Sequence, residues 1–76
     1  MITVDTLRKC AWLDTITLEN LIRKNYPQDR VLSAEFVGIS NGQQFVYNVA
    51  YPEEDRVRRA HLYVWQDGNG NLVADY

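Results

Sequence analysis

The pair Asn41-Gly42 constrains the fold of this chain more than any other feature. It lies between two apolar runs, and in that position such a pair favours a type I′ turn, whose twist matches the right-handed twist of paired β-strands. We therefore predict a β-hairpin over residues 30–51, with Ser40 opposite Gln43.

This register gives the predicted hairpin two different faces. One face is apolar or glycine and pairs Gly38 with Phe45, Phe36 with Tyr47, Ala34 with Val49, and Leu32 with Tyr51. The other face pairs Glu35 with Asn48, Ser33 with Ala50, Val37 with Val46, and Ile39 with Gln44. A slip of one residue would bury Glu35 and Asn48, so the apolar pattern specifies the register as well as the turn.

Two helical patterns precede the hairpin. In residues 3–13, helical spacing relates Val4, Leu7, Cys10 and Ala11, and Thr3 or Asp5 can cap the start. In residues 16–26, one stripe holds Leu18, Leu21, Ile22 and Tyr26; Thr15 or Thr17 can cap this run, and Pro27 ends it. One bent helix and two short helices both fit the pattern. A DNA-binding helix-turn-helix is disfavoured, because residues 18–25 mostly lack base-reading and phosphate-binding side chains.

The third predicted strand, residues 57–66, alternates two sets of side chains. One set is Ala60, Leu62 and Val64, and the other is Arg59, His61, Tyr63 and Trp65. Only one set can face the helices, and burying an unpaired charge is costly. We therefore predict that the aliphatic set faces inward and that the second set lies on the open side of the sheet.

The segment 67–71, DGNGN, matches the first half of an EF-hand calcium loop. Leu72 stands where that loop needs its invariant glycine, so a turn is the better interpretation. Residues 72–76 then form a short last strand, with Leu72, Ala74 and Tyr76 on one side. The expected fold is α+β: a single domain over residues 1–76, with an N-terminal helical segment packed on a four-stranded antiparallel meander sheet.

Composition excludes several classes of protein. The 76 residues are 46% hydrophobic and 24% charged, which is typical of a small globular domain and not of a disordered tail. The formal net charge of −2 favours neither DNA nor an anionic membrane as a partner. The single Cys10 cannot form an internal disulfide, and residues 1–5 lack the pattern of a signal peptide. We expect a cytoplasmic protein with no membrane span.

The residues offer little for catalysis. Cys10 lies among apolar residues, which favours a core position over a nucleophile. His61, the only histidine, belongs to the predicted open side of the sheet, so a dyad with Cys10 is not expected. The sequence has no phosphate-binding glycine loop and no metal-ligand spacing. We predict a non-enzymatic protein without cofactor or metal.

The predicted open side has the composition of a protein interface. Its candidate partner-binding residues are Arg59, His61, Tyr63 and Trp65, beside Val37, Ile39 and Val46, with the acidic tip Glu53, Glu54 and Asp55 as an orienting rim. The expected partner is another protein, including a second copy of this chain. The alternative is single-stranded nucleic acid, with bases stacked on Tyr63 and Trp65 and with Arg56, Arg58 and Arg59 near the backbone.

Residues 16–76 also carry a family resemblance. Tyr26-Pro27 leaves a helix, VLSAEF enters a strand, FVYNVAY follows, and HLYVWQDGNGNLV runs from a strand through an Asp-Gly turn to an apolar end. This order resembles small cystatin-like domains of the PepSY type. The resemblance implies a non-enzymatic binding or inhibitory module, such as a phage or mobile-element inhibitor of a host protein. Such domains are usually exported or membrane-attached, and this sequence shows no export signal.

Overall fold

The structure is a computed structural model that describes residues 2–76, and it confirms the predicted α+β fold. Met1, the first residue of the segment searched for a signal peptide, lies outside the described residues. The elements are α1 Val4–Cys10, α2 Thr15–Ile22, β1 Ser33–Ile39, β2 Phe45–Glu53, β3 Arg56–Gln66 and β4 Leu72–Asp75. The four strands form one antiparallel sheet in the order β1-β2-β3-β4. The helical segment is therefore two short helices, and neither is long and apolar enough to cross a membrane.

Side-chain caps begin both helices. Thr3 caps α1 as predicted, and its hydroxyl accepts the Thr6 N–H at 3.2 Å. Asp14, and not Thr15 or Thr17, caps α2, because its carboxylate accepts the Thr17 N–H at 2.8 Å. Hydrogen bonds from the side chain and the backbone of Thr17 lower the pKa of the Asp14 carboxyl.

Helix α2 ends earlier than the apolar stripe predicts. The N–H groups of Lys24 and Asn25 donate to the carbonyls three residues before them, Leu21 and Ile22, at 3.3 and 3.0 Å. Such bonds tighten the last turn, so the helix ends at Ile22 and the chain turns before it reaches Pro27.

The turn of the first hairpin is one residue longer than predicted. Ser40 exchanges backbone hydrogen bonds with two partners: its C=O accepts the Gln43 N–H and its N–H donates to the Gln44 C=O, both at 2.9 Å. The positive φ of 61° lies on Gln43, whereas a type I′ turn needs positive φ at both Asn41 and Gly42. The type I′ prediction is wrong, and the loop is a three-residue turn that ends in a left-handed residue.

A β-bulge in β1 compensates for the longer loop. Near the loop, Gly38 pairs with Val46 and Ile39 pairs with Phe45, so the predicted partners of these residues and of Val37 are wrong. The register shifts between Phe36 and Gly38. Beyond the shift, the predicted pairs are confirmed, and they are Phe36 with Tyr47, Glu35 with Asn48, Ala34 with Val49, and Ser33 with Ala50. The extra loop residue and the bulge cancel, so the apolar face of β2 keeps its predicted partners over most of the strand.

The core lies between the helices and one face of the sheet. Its largest fully buried side chains are Tyr47, Phe45, Leu18, Ile22, Leu62, Val49, Val64 and Cys10. Tyr47 fastens the link between the helices to the sheet, because its hydroxyl donates to the Cys10 carbonyl and accepts the Leu13 N–H at 3.1 Å. Burial raises the pKa of the Tyr47 hydroxyl.

Strands β2 and β3 extend beyond their neighbours. β1 pairs with β2 only as far as Ala50, and β4 pairs with β3 only from Tyr63 to Gln66. Residues 51–58 therefore form a two-stranded ribbon, closed at the Glu53–Arg56 pair by a two-residue turn in which Glu54 has a φ of 57°. The molecule measures 41 × 22 × 19 Å.

Candidate functional site

Strand β3 presents its two sets of side chains to opposite sides of the sheet, as the alternation predicts. Leu62 and Val64 are fully buried under the helices, and Ala60 packs against the same core. On the other side, Tyr63 and Trp65 are half-buried and two further side chains, Arg59 and His61, are exposed. The face assignment of the third strand is therefore confirmed.

We call the surface turned away from the helices the open face. Its cross-strand pairs are Val46–Tyr63, Asn48–His61 and Ala50–Arg59 between β2 and β3, and Tyr63–Asp75 and Trp65–Val73 between β3 and β4. These pairs place Val46 and Val73 beside the two aromatic rings, because directly opposed residues on one face have neighbouring side chains. The open face therefore has an apolar centre that spans three strands.

Charged and polar groups surround this centre. Glu35 lies opposite Asn48, and Asp75 lies opposite Tyr63. Arg59 makes no ion pair with any residue in the described part of the chain. A shallow recess of about 250 Å³ is lined by Asn48, Arg59, Ala60 and His61. The polar margin of the open face thus combines acidic and basic side chains.

The bulge changes which residues of β1 belong to the open face. Val37 lies within the register shift and is 58% exposed. Ile39 pairs with Phe45, whose side chain is fully buried on the helix side, so placing Ile39 on the open face was wrong. The cause is the single unpaired residue of the bulge, which reverses the faces of the residues between it and the loop.

The acidic tip is less acidic in three dimensions than in sequence. The Glu53 carboxylate lies 3.3 Å from Arg58 Nη1 and 3.9 Å from Arg56 Nη2. Glu54 and Asp55 form the turn itself. These exposed ion pairs contribute little stability, but they balance the charge of Glu53 locally. The tip of the ribbon is therefore mixed in charge.

The structure separates the two residues considered for catalysis. Cys10 is fully buried on the helix side, where burial raises the pKa of its thiol, and His61 is exposed on the open face. In the segment that resembles half an EF-hand, the Asp67 carboxylate accepts the N–H groups of Asn69 and Asn71 at 2.9 and 3.0 Å. This segment is a turn, and residues 2–76 contain no cluster of three or more His, Cys, Asp or Glu side chains that could hold a metal.

Sequence reasoning missed several apolar side chains that are exposed on the helix side. Trp12 is 74% exposed with a φ of 56°, and its ring meets the Phe36 ring edge-on with centroids 5.1 Å apart. Val4, assigned to the core stripe of α1, is 64% exposed, and Ile16 is 70% exposed. The early end of α1 at Cys10 explains the exposure of Trp12, because residues after Cys10 no longer follow the helical stripe.

A second missed feature is a tyrosine cluster at the end of the chain. The Tyr76 ring lies 5.6 Å from that of Tyr26 and 6.2 Å from that of Tyr51. The Tyr26 hydroxyl donates to Asp75 at 3.0 Å and the Tyr76 hydroxyl donates to Asp29 at 2.7 Å. The pKa of Tyr26 is raised chiefly by its bond to Asp75, and that of Tyr76 by burial and by Asp29. The cluster ties β4 to the segment that follows α2.

Comparisons of the chain with protein-family models, with curated proteins and with solved structures gave no match.

Proposed function

We propose that this chain is a small non-enzymatic module that acts by binding another protein through the open face of its sheet. The observation that carries the proposal is the apolar centre of that face, where Tyr63 and Trp65 lie beside Val46 and Val73 on the side of β3 opposite the buried Leu62 and Val64. Tyrosine, tryptophan and arginine are the residues that most often dominate the energy of protein interfaces.

The surroundings of the apolar centre support the same proposal. Arg59 and His61 on β3, Glu35 on β1 and Asp75 on β4 give the polar margin that surrounds the core of an interface. The ribbon tip, with Glu53, extends this margin. A partner would bury the aromatic side chains and pair with the charges at the edge.

Inhibition by contact is the form of binding that we favour. The resemblance to PepSY-type cystatin-like domains supports it, as does the small size of the chain. A phage or mobile-element inhibitor of a host protein would have these properties. The single cysteine suits a reducing compartment such as the cytoplasm.

A single-stranded nucleic acid is the second candidate partner. It is favoured by the arrangement of Tyr63 and Trp65 on the same face as Arg59, which has no ion pair within residues 2–76. Glu35 and Asp75 on that face would repel phosphates. Binding of this kind would weaken steeply as salt increases, and a salt-titrated gel shift with single-stranded DNA and RNA measures it.

The test compares three proteins as baits in lysate of the native host: wild type, Trp65→Asp on the open face, and Trp12→Asp on the helix side. We expect wild type and Trp12→Asp to retain a common set of proteins that Trp65→Asp loses. Light scattering of the same samples shows whether a second copy is the partner. Circular dichroism verifies folding, and Tyr63→Ser serves in place of Trp65→Asp if that variant unfolds. If all folded variants retain the same proteins, the open face is not the binding surface.

A further inference from the structure

Within residues 2–76, one side of β3 lacks a neighbouring strand over more than half of its length. β3 comprises 11 residues, whereas β4 reaches only from Gln66 back to Tyr63. β4 pairs with one edge of β3 over residues 63–66. We call the continuation of that same edge over residues 56–62 the free edge. Four of its side chains, Arg56, Arg58, Arg59 and His61, are exposed, and Val57 is 59% exposed.

The hydrogen-bond pattern identifies the backbone groups that the free edge presents. The Leu32 N–H donates to the Ala50 carbonyl at 2.8 Å, so Ala50 turns its backbone groups toward β1 and away from β3. Its partner Arg59 must then point its own N–H and C=O away from β2, because bonded and non-bonded pairs alternate in an antiparallel ladder. Asp67, whose N–H donates to the Asn71 carbonyl at 2.9 Å, continues the same odd-numbered series.

This alternation gives Val57, Arg59 and His61 N–H and C=O groups that point to the free edge. No backbone partner for them occurs within residues 2–76. The opposite edge of the ribbon is different, because Pro52 has no N–H to offer there. The free edge contains no proline and no bulge, so it keeps the geometry that a further strand needs.

Charge selects the occupant of the free edge. Antiparallel pairing with a second copy, centred on the bonded groups, would place Arg59 opposite the same arginine of the other copy, and like charges in that position are destabilising. Arg58 shares Glu53 with Arg56, whereas Arg59 has no acidic partner in the described residues. An acidic strand would supply one.

We infer that the free edge of β3 binds an extended acidic segment of a partner protein as an additional antiparallel strand. The inference rests on the proposed function as a protein-binding module and specifies one segment of the partner. That segment would place acidic residues opposite Arg59 and Arg58 and apolar residues opposite Val57 and Ala60. Backbone hydrogen bonds would supply affinity, and the charges would supply selectivity.

The test uses two end-capped synthetic peptides of eight residues, built from valine and threonine, with a valine on each side of the two central positions. One has two adjacent glutamates at its centre and the other has two lysines. We expect the glutamate peptide to bind wild type and to shift the backbone amide resonances of Val57, Arg59 and His61, while the lysine peptide does not bind. Arg59→Glu should reverse this preference.

Arg59→Pro removes a backbone donor of the free edge together with the charge of Arg59. It removes an N–H that bonds nothing within the sheet, so the fold should survive, as it does with Pro52 on the other edge of the ribbon. We expect the glutamate peptide to bind this variant about tenfold more weakly than wild type, which corresponds to a lost hydrogen bond and a lost charge pair. If Arg59→Pro does not fold, the preference of Arg59→Glu decides alone.

The inference is overturned if wild type binds neither peptide, if it binds both equally, or if the shifted amides lie on the open face around Tyr63. It is also overturned if wild type dimerises through the free edge and Arg59→Pro abolishes the dimer. Tyr63→Ser should leave peptide binding unchanged. The peptide experiment can therefore fail while Trp65→Asp still loses the proteins that wild type retains from lysate. The opposite result, in which the peptide binds but Trp65→Asp loses nothing, can be distinguished as well.

Discussion

Leu62 and Tyr63 are neighbours in the chain, but they lie in two different environments. Leu62 is fully buried between β3 and the helices, whereas Tyr63 is half-buried on the open face between Val46 and Asp75. The same strand therefore contributes one side chain to the core and the next to a surface. The covered face therefore forms the core of the fold, and the open face lies outside that core.

The polar groups of the two faces differ in the same way. On the covered face, the Tyr47 hydroxyl is enclosed and bonded to the backbone of both Cys10 and Leu13. On the open face, the polar side chains of Glu35, Asn48 and His61 lie at the surface. Substitutions on the covered face should therefore alter stability, and those on the open face should alter association.

The largest difference is expected between Leu62→Ala and Tyr63→Ala. Truncating a fully buried leucine leaves a cavity and should reduce the free energy of unfolding by about 3 kcal/mol. This is a large part of the total of about 4 to 11 kcal/mol expected for a chain of this size. Tyr63→Ala should lower it by roughly 1 kcal/mol or less. Urea denaturation measures both, and equal losses would mean that the two faces contribute alike to the fold.

The next largest effect concerns hydroxyl groups on the two faces. Tyr47→Phe removes one oxygen and leaves the Leu13 N–H and the Cys10 carbonyl without their partner, so the free energy of unfolding should fall by about 2 kcal/mol. Tyr63→Phe is the matched control on the open face and should change it by less than about 0.5 kcal/mol. The comparison fails if the control loses as much as Tyr47→Phe in the same denaturation experiment.

The faces of β3 could be predicted from the sequence because one physical cost decides between two alternatives. Placing Leu62 outward would have buried Arg59 or His61 without a partner, and the twofold period of a strand leaves no intermediate arrangement. The open face was therefore predictable apart from Ile39. Its displacement depends on a bulge, which no residue type in β1 specifies uniquely.

Other features depend on small energy differences between local conformations. Asn41-Gly42 fits several turns, and the choice of a longer loop placed the positive φ on Gln43. The exposure of Trp12 depends on where α1 ends, and the free edge depends on how far β4 extends. Element ends are set by one or two hydrogen bonds, so the sequence pattern predicts them less well than it predicts faces.

Alkaline pH should reduce the stability of the fold, and this effect should be smaller than the previous two. The pKa values of Tyr47 and Tyr76 are raised in the fold, so the unfolded chain releases these protons first. The contribution of these tyrosines to stability should be constant below the unfolded tyrosine pKa of about 10 and fall as pH rises above it. Cys10, whose pKa burial also raises, should begin a fall at lower pH.

Thermal melts between about pH 8 and pH 12 measure this dependence, across the range where free thiols and tyrosines lose their protons. Tyr76→Phe and Cys10→Ala should each make this dependence shallower. A dependence that is unchanged in Tyr76→Phe would mean that burial and the hydrogen bond to Asp29 do not hold the tyrosine proton in solution.

The smallest effect is expected at the hairpin loop, which belongs to neither face. Gln43 has a φ of 61°, which strains a residue with a side chain, so Gln43→Gly should raise the free energy of unfolding by about 0.5 to 1 kcal/mol. Gln44→Gly is the matched control, because Gln44 does not have a positive φ and glycine there adds only flexibility to the unfolded chain. The free energy of unfolding measured by denaturation should therefore rise in Gln43→Gly and fall in Gln44→Gly. Binding by the open face should be unchanged in both variants. If Gln43→Gly also loses stability, the loop does not contain a left-handed residue, and the compensation between loop and bulge that sets the faces of β1 must have another origin.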